Sequence, residues 1–161
     1  MKNNISFEFN LSTGSIAHLV NNLNNYRQQL ELAKPAILEA LASYTYKKVI
    51  EYINSSIGHH PNYTPTGNLA NSIMQSEVIQ NTIRVYADQS IAKYAQFVEF
   101  GTGVVGSEHS HPLASEYGWS YGALTGQEAH NFMYRARKDL EKEYPKIVAR
   151  VLRERGLIKW I

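Results

Sequence analysis

Two pairs of imidazoles are the first residues in this chain that could do chemistry: His59-His60 and His109-Ser110-His111. Imidazole nitrogens bind zinc and move protons near neutral pH. A zinc site takes three or four convergent ligands, each oriented by a further group. Here the pairs lie on separate loops rich in turn residues, and no His-Glu-x-x-His helix accompanies them. They read as solvated loop histidines, some of them hydrogen-bonded to backbone. The chain has no cysteine, so thiol nucleophiles, thiolate ligands and disulfides are excluded. No Gly-x-Ser-x-Gly elbow nominates a serine nucleophile, and no Walker phosphate loop is present. Gly101-Thr102-Gly103-Val104-Val105-Gly106 has the spacing of the dinucleotide fingerprint. That pattern works only after a core strand and where a helix opens at its end. The sequence predicts neither, and a flexible turn is expected instead. No catalytic residue, metal ligand or cofactor is therefore assigned.

A second chemistry is electrostatic. Residues 126–161 carry nine basic and five acidic side chains, giving +4, while the remaining chain has seven basic and nine acidic, giving −2. On a helix, Arg135, Lys138, Lys142, Lys146, Arg150 and Arg153 could lie along a phosphate backbone. The competing and preferred reading is a solvated helix face with neighbouring ion pairs such as Arg135–Asp139.

The elements that would position these groups can be read from periodicity. Ile5, Phe7, Phe9 and Leu11 alternate, predicting a short strand over 4–10. Ile16, Leu19, Val20, Leu23, Tyr26 and Leu30 then take helical spacing. Lys34-Pro35 predicts a helix end or kink, with a new helix over about 35–56 whose apolar stripe runs from Ile37 to Ile53. The result is an antiparallel pair or one long bent element. Gly58 to Gly67 is a loop with two prolines, Pro61 and Pro65, and residues 68–72 suit one helical turn. Residues 73–79 and 82–88 read as a hairpin around Gln80-Asn81. Residues 91–100 suit a short helix closed by Gly101.

Residues 101–126 hold six glycines and one proline, so a long loop is expected, with room for one further strand in 104–124. Ala129, Phe132, Met133, Ala136, Leu140, Tyr144, Ile147, Val151 and Leu152 then mark a final helix, capped by Thr125 or Gly126 and kinked or split at Pro145. The fold class is α+β: a small, mostly antiparallel sheet packed against two N-terminal helices and a long C-terminal helix. One domain spans 1–161, with the glycine-rich loop at about 101–125.

Composition sets the outer bounds. The 161 residues are 43% hydrophobic and 19% charged, which is the balance of a globular chain with one core. A net charge of +2 does not announce nucleic-acid binding by the whole protein. No apolar run approaches the ~20 residues of a membrane span, and the N-terminus lacks the apolar stretch of a signal peptide. Tyrosine is abundant, eleven against five phenylalanines and two tryptophans. Its ring with a polar tip suits surfaces that partners bury, and it equally suits ordinary core and surface positions in a chain of tyrosine-rich composition.

Four segments occur in order from Thr66 to Tyr134: Thr66-Gly67-Asn68-Leu69-Ala70-Asn71-Ser72-Ile73 before the hairpin; Tyr94-Ala95-Gln96-Phe97-Val98-Glu99-Phe100-Gly101-Thr102-Gly103 after it; His111-Pro112 with Trp119-Ser120-Tyr121; and Gly126-Gln127-Glu128-Ala129-His130-Asn131-Phe132-Met133-Tyr134. This order resembles the tail-component family of long-tailed bacteriophages and prophages, the neck, head–tail joining and tail-completion proteins. The chain departs from the family at His130-Asn131, where Arg-Pro is frequent, and in a shorter loop before Gly126.

The resemblance implies a structural virion protein and no enzyme. It implies location in the neck or tail after synthesis in the host cytoplasm. Its partners would be further copies in a ring, for which sixfold symmetry would match a tail tube, and neighbouring neck, connector and tail proteins. DNA would be a transient contact and membrane none. The segment that carries the likeness then supplies the expected partner interface: Tyr94, Phe97, Glu99, Phe100, Gly101, Thr102, Gly103, Trp119 and Tyr121. Glu99 is expected to accept backbone N–H bonds and fix the glycine turn. The alternative function is a small DNA-binding module using the basic C-terminal helix.

Overall fold

A computed structural model describes residues 13–57 and 67–158. The predicted strand at 4–10 and the pair His59-His60 lie outside the described residues.

Helix α1 spans Thr13–Ile57 without a break. The expected pair of N-terminal helices is thus a single element, with Pro35 inside it. The last helix, α5, spans Phe132–Glu154 and likewise runs through Pro145. Both prolines are exposed. A helical proline leaves the carbonyl four residues earlier without its donor, and on a solvent-facing side water can take that place. The helices therefore continue through Pro35, where the sequence predicts an end or a kink, and through Pro145, where it predicts a kink or a split, and α1 is the single long element of the two alternatives.

Helix α2 is the single turn Asn68–Asn71, opened by Gly67 in the left-handed region. Strands β1 (Ile73–Gln75) and β2 (Val85–Ala87) pair antiparallel, Met74 opposite Tyr86. Gln80 and Asn81 both have positive φ, 50° and 58°, as a tight hairpin turn requires. The strands are shorter than predicted. Ser76 still pairs with Arg84, and pairing resumes at Ile79–Thr82, so Glu77 and Val78 together oppose Ile83. That extra residue is a bulge, and it interrupts the ladder. No strand forms in 104–124. Helix α3 (Ala95–Phe100) is followed by α4 (Gly103–Glu108), which occupies part of the predicted loop.

The core joins α1, α2, the strands, α3 and α5. Val49 and Ile53 of α1, Leu69 of α2, Ile73 of β1, Ala92, Ala95 of α3, and Phe132 and Ala136 of α5 form one buried cluster. Helix α5 runs antiparallel to the second half of α1. At one end Arg135 reaches Ser56 and stacks 4.0 Å over the Tyr52 ring. At the other, Val151 and Arg155 lie beside Ala36 and Ala40. Between them the Tyr52 hydroxyl donates to Asp139. The architecture is mixed helix and sheet, compatible with α+β, and its main layer is the α1–α5 pair.

Candidate functional site

Three of the four sequence segments, those at 94–103, 111–121 and 126–134, meet where the end of α3 faces the start of α5, while Leu69 and Ile73 of the first lie in the core cluster with Ala95 and Phe132. In a helix, residues four apart share a face, so α3 turns Ala95 and Glu99 inward together, and both are buried. Glu99 is 6% exposed, and its carboxylate is surrounded by donors. Oε2 accepts the Met133 N–H at 2.9 Å, and Oε1 accepts the Tyr134 N–H at 3.0 Å. These are two of the four amides that open a helix without an internal partner.

Asn131, the residue preceding α5, makes no capping bond with its own side chain. It takes φ 55°, and its buried Oδ1 has no hydrogen-bond partner among the described residues. Glu99 caps the helix in its place, and a negative charge there also suits the helix dipole. The exchange is reciprocal. The Val98 and Glu99 carbonyls at the end of α3 accept the His130 and Asn131 N–H groups at 2.9 and 3.2 Å. Thr125 and Gly126, the caps expected from sequence, lie several residues before the helix opens.

His111 closes the arrangement. Its Nδ1 accepts the Leu113 N–H at 3.0 Å, which leaves Nε2 as the protonated nitrogen, donating to Glu99 Oε1 at 2.9 Å. The His111 backbone N–H donates to the Tyr121 hydroxyl, and the Trp119 indole donates to the Gly101 carbonyl, each at 3.1 Å. Phe100 lies between His111 and Trp119, with ring centroids 4.3 and 5.1 Å away. Trp119 also meets Phe97 edge-on at 5.5 Å. The segment expected to be a long loop is thus folded back on α3 by specific bonds.

The glycines serve close approach. Thr102 and Gln127 exchange backbone bonds of 2.8 and 3.0 Å. A Cβ on Gly126 would sit 1.9 Å from the Thr102 carbonyl oxygen, and one on Gly103 would sit 2.1 Å from that of Leu124. The glycine fingerprint does open a helix, against expectation, since α4 begins at Gly103. Its first free amides are occupied: Val104 and Val105 donate to the carbonyls of Leu124 and Thr125. A helix, α3, precedes it where a dinucleotide site needs a strand.

The expected interface residues therefore divide. Glu99, Gly101 and Gly103 are buried. Tyr94, Phe100, Thr102, Trp119 and Tyr121 are half-buried, and Tyr94 packs on the core. Phe97 is exposed, together with Tyr117, Val104 and Leu124 nearby in the same unit. Sequence reasoning did not single out Tyr117, Leu124 or the buried role of His111. The signal available was the His111-Pro112 dipeptide, which marks a turn without naming the partner of the imidazole.

A cleft of about 370 Å³ borders Glu99, His111, Phe132 and Arg137. Both carboxylate oxygens on its wall are engaged by donors, and two of those donors are backbone amides that the carboxylate holds in place. Among the described residues no group of three histidine, aspartate or glutamate side chains could hold a metal. No helix among them is long and apolar enough to cross a membrane.

The basic side chains of α5 are largely engaged. Lys138 and Arg137 share Glu141 at 2.7 and 3.2 Å, Lys146 meets Glu143 at 2.8 Å, and Arg150 lies 3.9 Å from Glu154. The hydrogen-bonded carboxylate of Glu141 holds Lys138 above its ordinary pKa, and the Lys138 ammonium in turn holds Glu141 below its own. Arg135 turns to Tyr52 and Ser56 in place of the expected Asp139. Arg153 donates to the Ala149 carbonyl, and Lys142 is exposed.

Comparison of the chain with protein-family models, with curated proteins and with solved structures finds no match.

Proposed function

We propose that this chain is a structural assembly protein of a long-tailed phage or prophage, acting at the neck in tail completion or head–tail joining. One observation carries the reading. Three of the four separated segments on which the resemblance rests share a single folded unit, in which Glu99 binds the start of α5 and His111 at once. A set of residues spent on fixing backbone is what a rigid docking element needs, because binding then costs little ordering. Phe97, Tyr117 and Leu124 stand exposed on that unit, and aromatic side chains on a fixed support are effective interface anchors. The partners in this reading are further copies in a ring and adjoining neck or tail proteins. The DNA-binding alternative draws on α5, where phosphate contacts would first have to displace neighbouring carboxylates.

The test is genetic complementation in the strain that carries the gene. Deletion of the coding region should leave heads and tails that do not join, visible by electron microscopy, with infectious titre restored by the wild-type copy. A Phe97→Ala, Tyr117→Ala double variant should fold but restore little titre. Normal particles in the deletion strain would overturn the proposal.

A further inference from the structure

From Ile16 to Tyr26 the apolar face of α1 has no intramolecular cover among the described residues. Ile16, Leu19, Leu23 and Tyr26 are 48, 55, 59 and 41% exposed. They are not scattered. Ile16, Leu23, Leu30 and Ile37 fall seven apart, and Leu19, Tyr26 and Ala33 fall seven apart between them. This is the a and d pattern of a helix that packs against another helix with a repeat of 3.5 residues. The seam runs from exposed Ile16 through half-buried Leu30 to fully buried Ala33, so it continues into the packed part of the protein. The projecting stretch, Thr13 to Leu32, is about 30 Å long at the helical rise. An apolar seam of that length in water calls for a partner.

The flanking residues select the partner. With Ile16 at a, the e positions hold Val20, Arg27 and Lys34, and the g positions hold Asn22 and Gln29. In a parallel, in-register pair each g residue faces the e residue five places on in its neighbour. Asn22 then meets Arg27, so the flanking cation of the exposed stretch faces a neutral amide, while Lys34, just beyond that stretch, is paired with Glu31 at 2.5 Å. In an antiparallel pair centred on the exposed stretch the e positions face each other, so Arg27 comes against Val20 and the amide–cation contact is lost, which favours the parallel arrangement. We propose that the occupant of this seam is the same helix of a second copy of this chain, parallel and in register. The inference goes beyond the proposed neck role and stands without it.

The absence of cysteine makes the test direct. In the full chain, Leu23→Cys places one thiol at the centre of the seam, and Asn21→Cys places one on its opposite side. Under mild oxidation the Leu23→Cys chain should form covalent dimers about tenfold faster or more, since pairing raises the effective thiol concentration. Light scattering should show association of the wild type that a Leu19→Glu, Leu23→Glu variant loses, with its helical circular dichroism otherwise retained. Equal cross-linking of the two cysteine chains would overturn the parallel register. A wild type that is monomeric from micromolar to millimolar concentration, and associates only after removal of residues 1–12, would make that segment the occupant and overturn the proposal. A monomer under both conditions would overturn it equally.

Discussion

Glu99 and Met133 are 34 residues apart, yet the Glu99 carboxylate accepts the Met133 N–H at 2.9 Å and thereby starts the longest helix in the second half of the chain. The bond fastens the end of α3 to the start of α5. It also brings His111, and with it the 111–121 segment, to the same point. The 111–121 segment and the origin of α5 therefore meet at one buried side chain.

Removing the carboxylate should be costly. Glu99→Ala leaves two helix amides and the His111 Nε2–H without an acceptor in a buried place. Bonds to a charged acceptor and helix caps together put the loss at about 2–4 kcal/mol. Glu99→Gln keeps one oxygen but turns its amide toward a donor, so it should fall between wild type and alanine. Urea unfolding of the three chains measures this. An alanine variant as stable as wild type would show that the cap contributes nothing.

The glycines of 101–126 should separate into two kinds. At Gly126, φ is 69° and an added Cβ would overlap the Thr102 carbonyl. Gly126→Ala should cost more than about 1–2 kcal/mol, the ordinary penalty of a left-handed alanine, because the Thr102–Gln127 pairing must open as well. Gly122 lacks a positive φ, and a Cβ added there would meet nothing within 4 Å. Gly122→Ala should therefore leave the melting temperature unchanged. Limited proteolysis would locate the difference, with new cleavage near residue 102 in the first variant alone.

Much of the scaffold is legible in the sequence because it follows from local rules. Alternation around Gln80-Asn81 marks the hairpin, and the three- and four-residue steps from Phe132 to Val151 mark α5. What local rules miss is set by tertiary placement. Pro35 and Pro145 do not end helices because each falls on the water side, which periodicity does not weigh against a proline. Six glycines suggest a mobile loop, whereas Gly103 and Gly126 let two backbones touch. Glu99 is visible as an acid before a glycine turn, but its amide partners lie across the fold. The bulge at Glu77-Val78 shortens strands whose alternation gives no warning of it.

The contact between α1 and α5 predicts an alkaline limit. The hydroxyl of Tyr52 donates to Asp139, and this bond, then burial, then the negative charge of Asp139 hold the Tyr52 pKa above its ordinary value of 10.0. The folded state thus binds this proton more tightly than the unfolded chain does. Its contribution is complete below the unfolded pKa and is lost as pH rises through the folded one. Tyr52→Phe should be less stable than wild type by about 1 kcal/mol at neutral pH. The gap should narrow above pH 10, where the wild type loses its bond and the variant has none to lose. A gap that stays constant across that range would remove Tyr52 as its source.

Salt dependence separates the assembly reading from the DNA-binding one. Each phosphate contact on duplex DNA contributes about 0.9 to the fall of log K with log salt, so six free cations on α5 would give a slope of about 5. Lys138, Lys146 and Arg150 already face Glu141, Glu143 and Glu154, and Arg135 lies on Tyr52. Contacts made while these pairs persist would come from few side chains, and the slope should be about 2 or less. Fluorescence anisotropy of a short labelled duplex, titrated from about 50 to 200 mM salt, reads the slope directly. Weak binding with a shallow slope fits a helix whose charges serve the fold. A steep slope, abolished by Lys142→Glu and Lys146→Glu together, would instead place α5 against DNA.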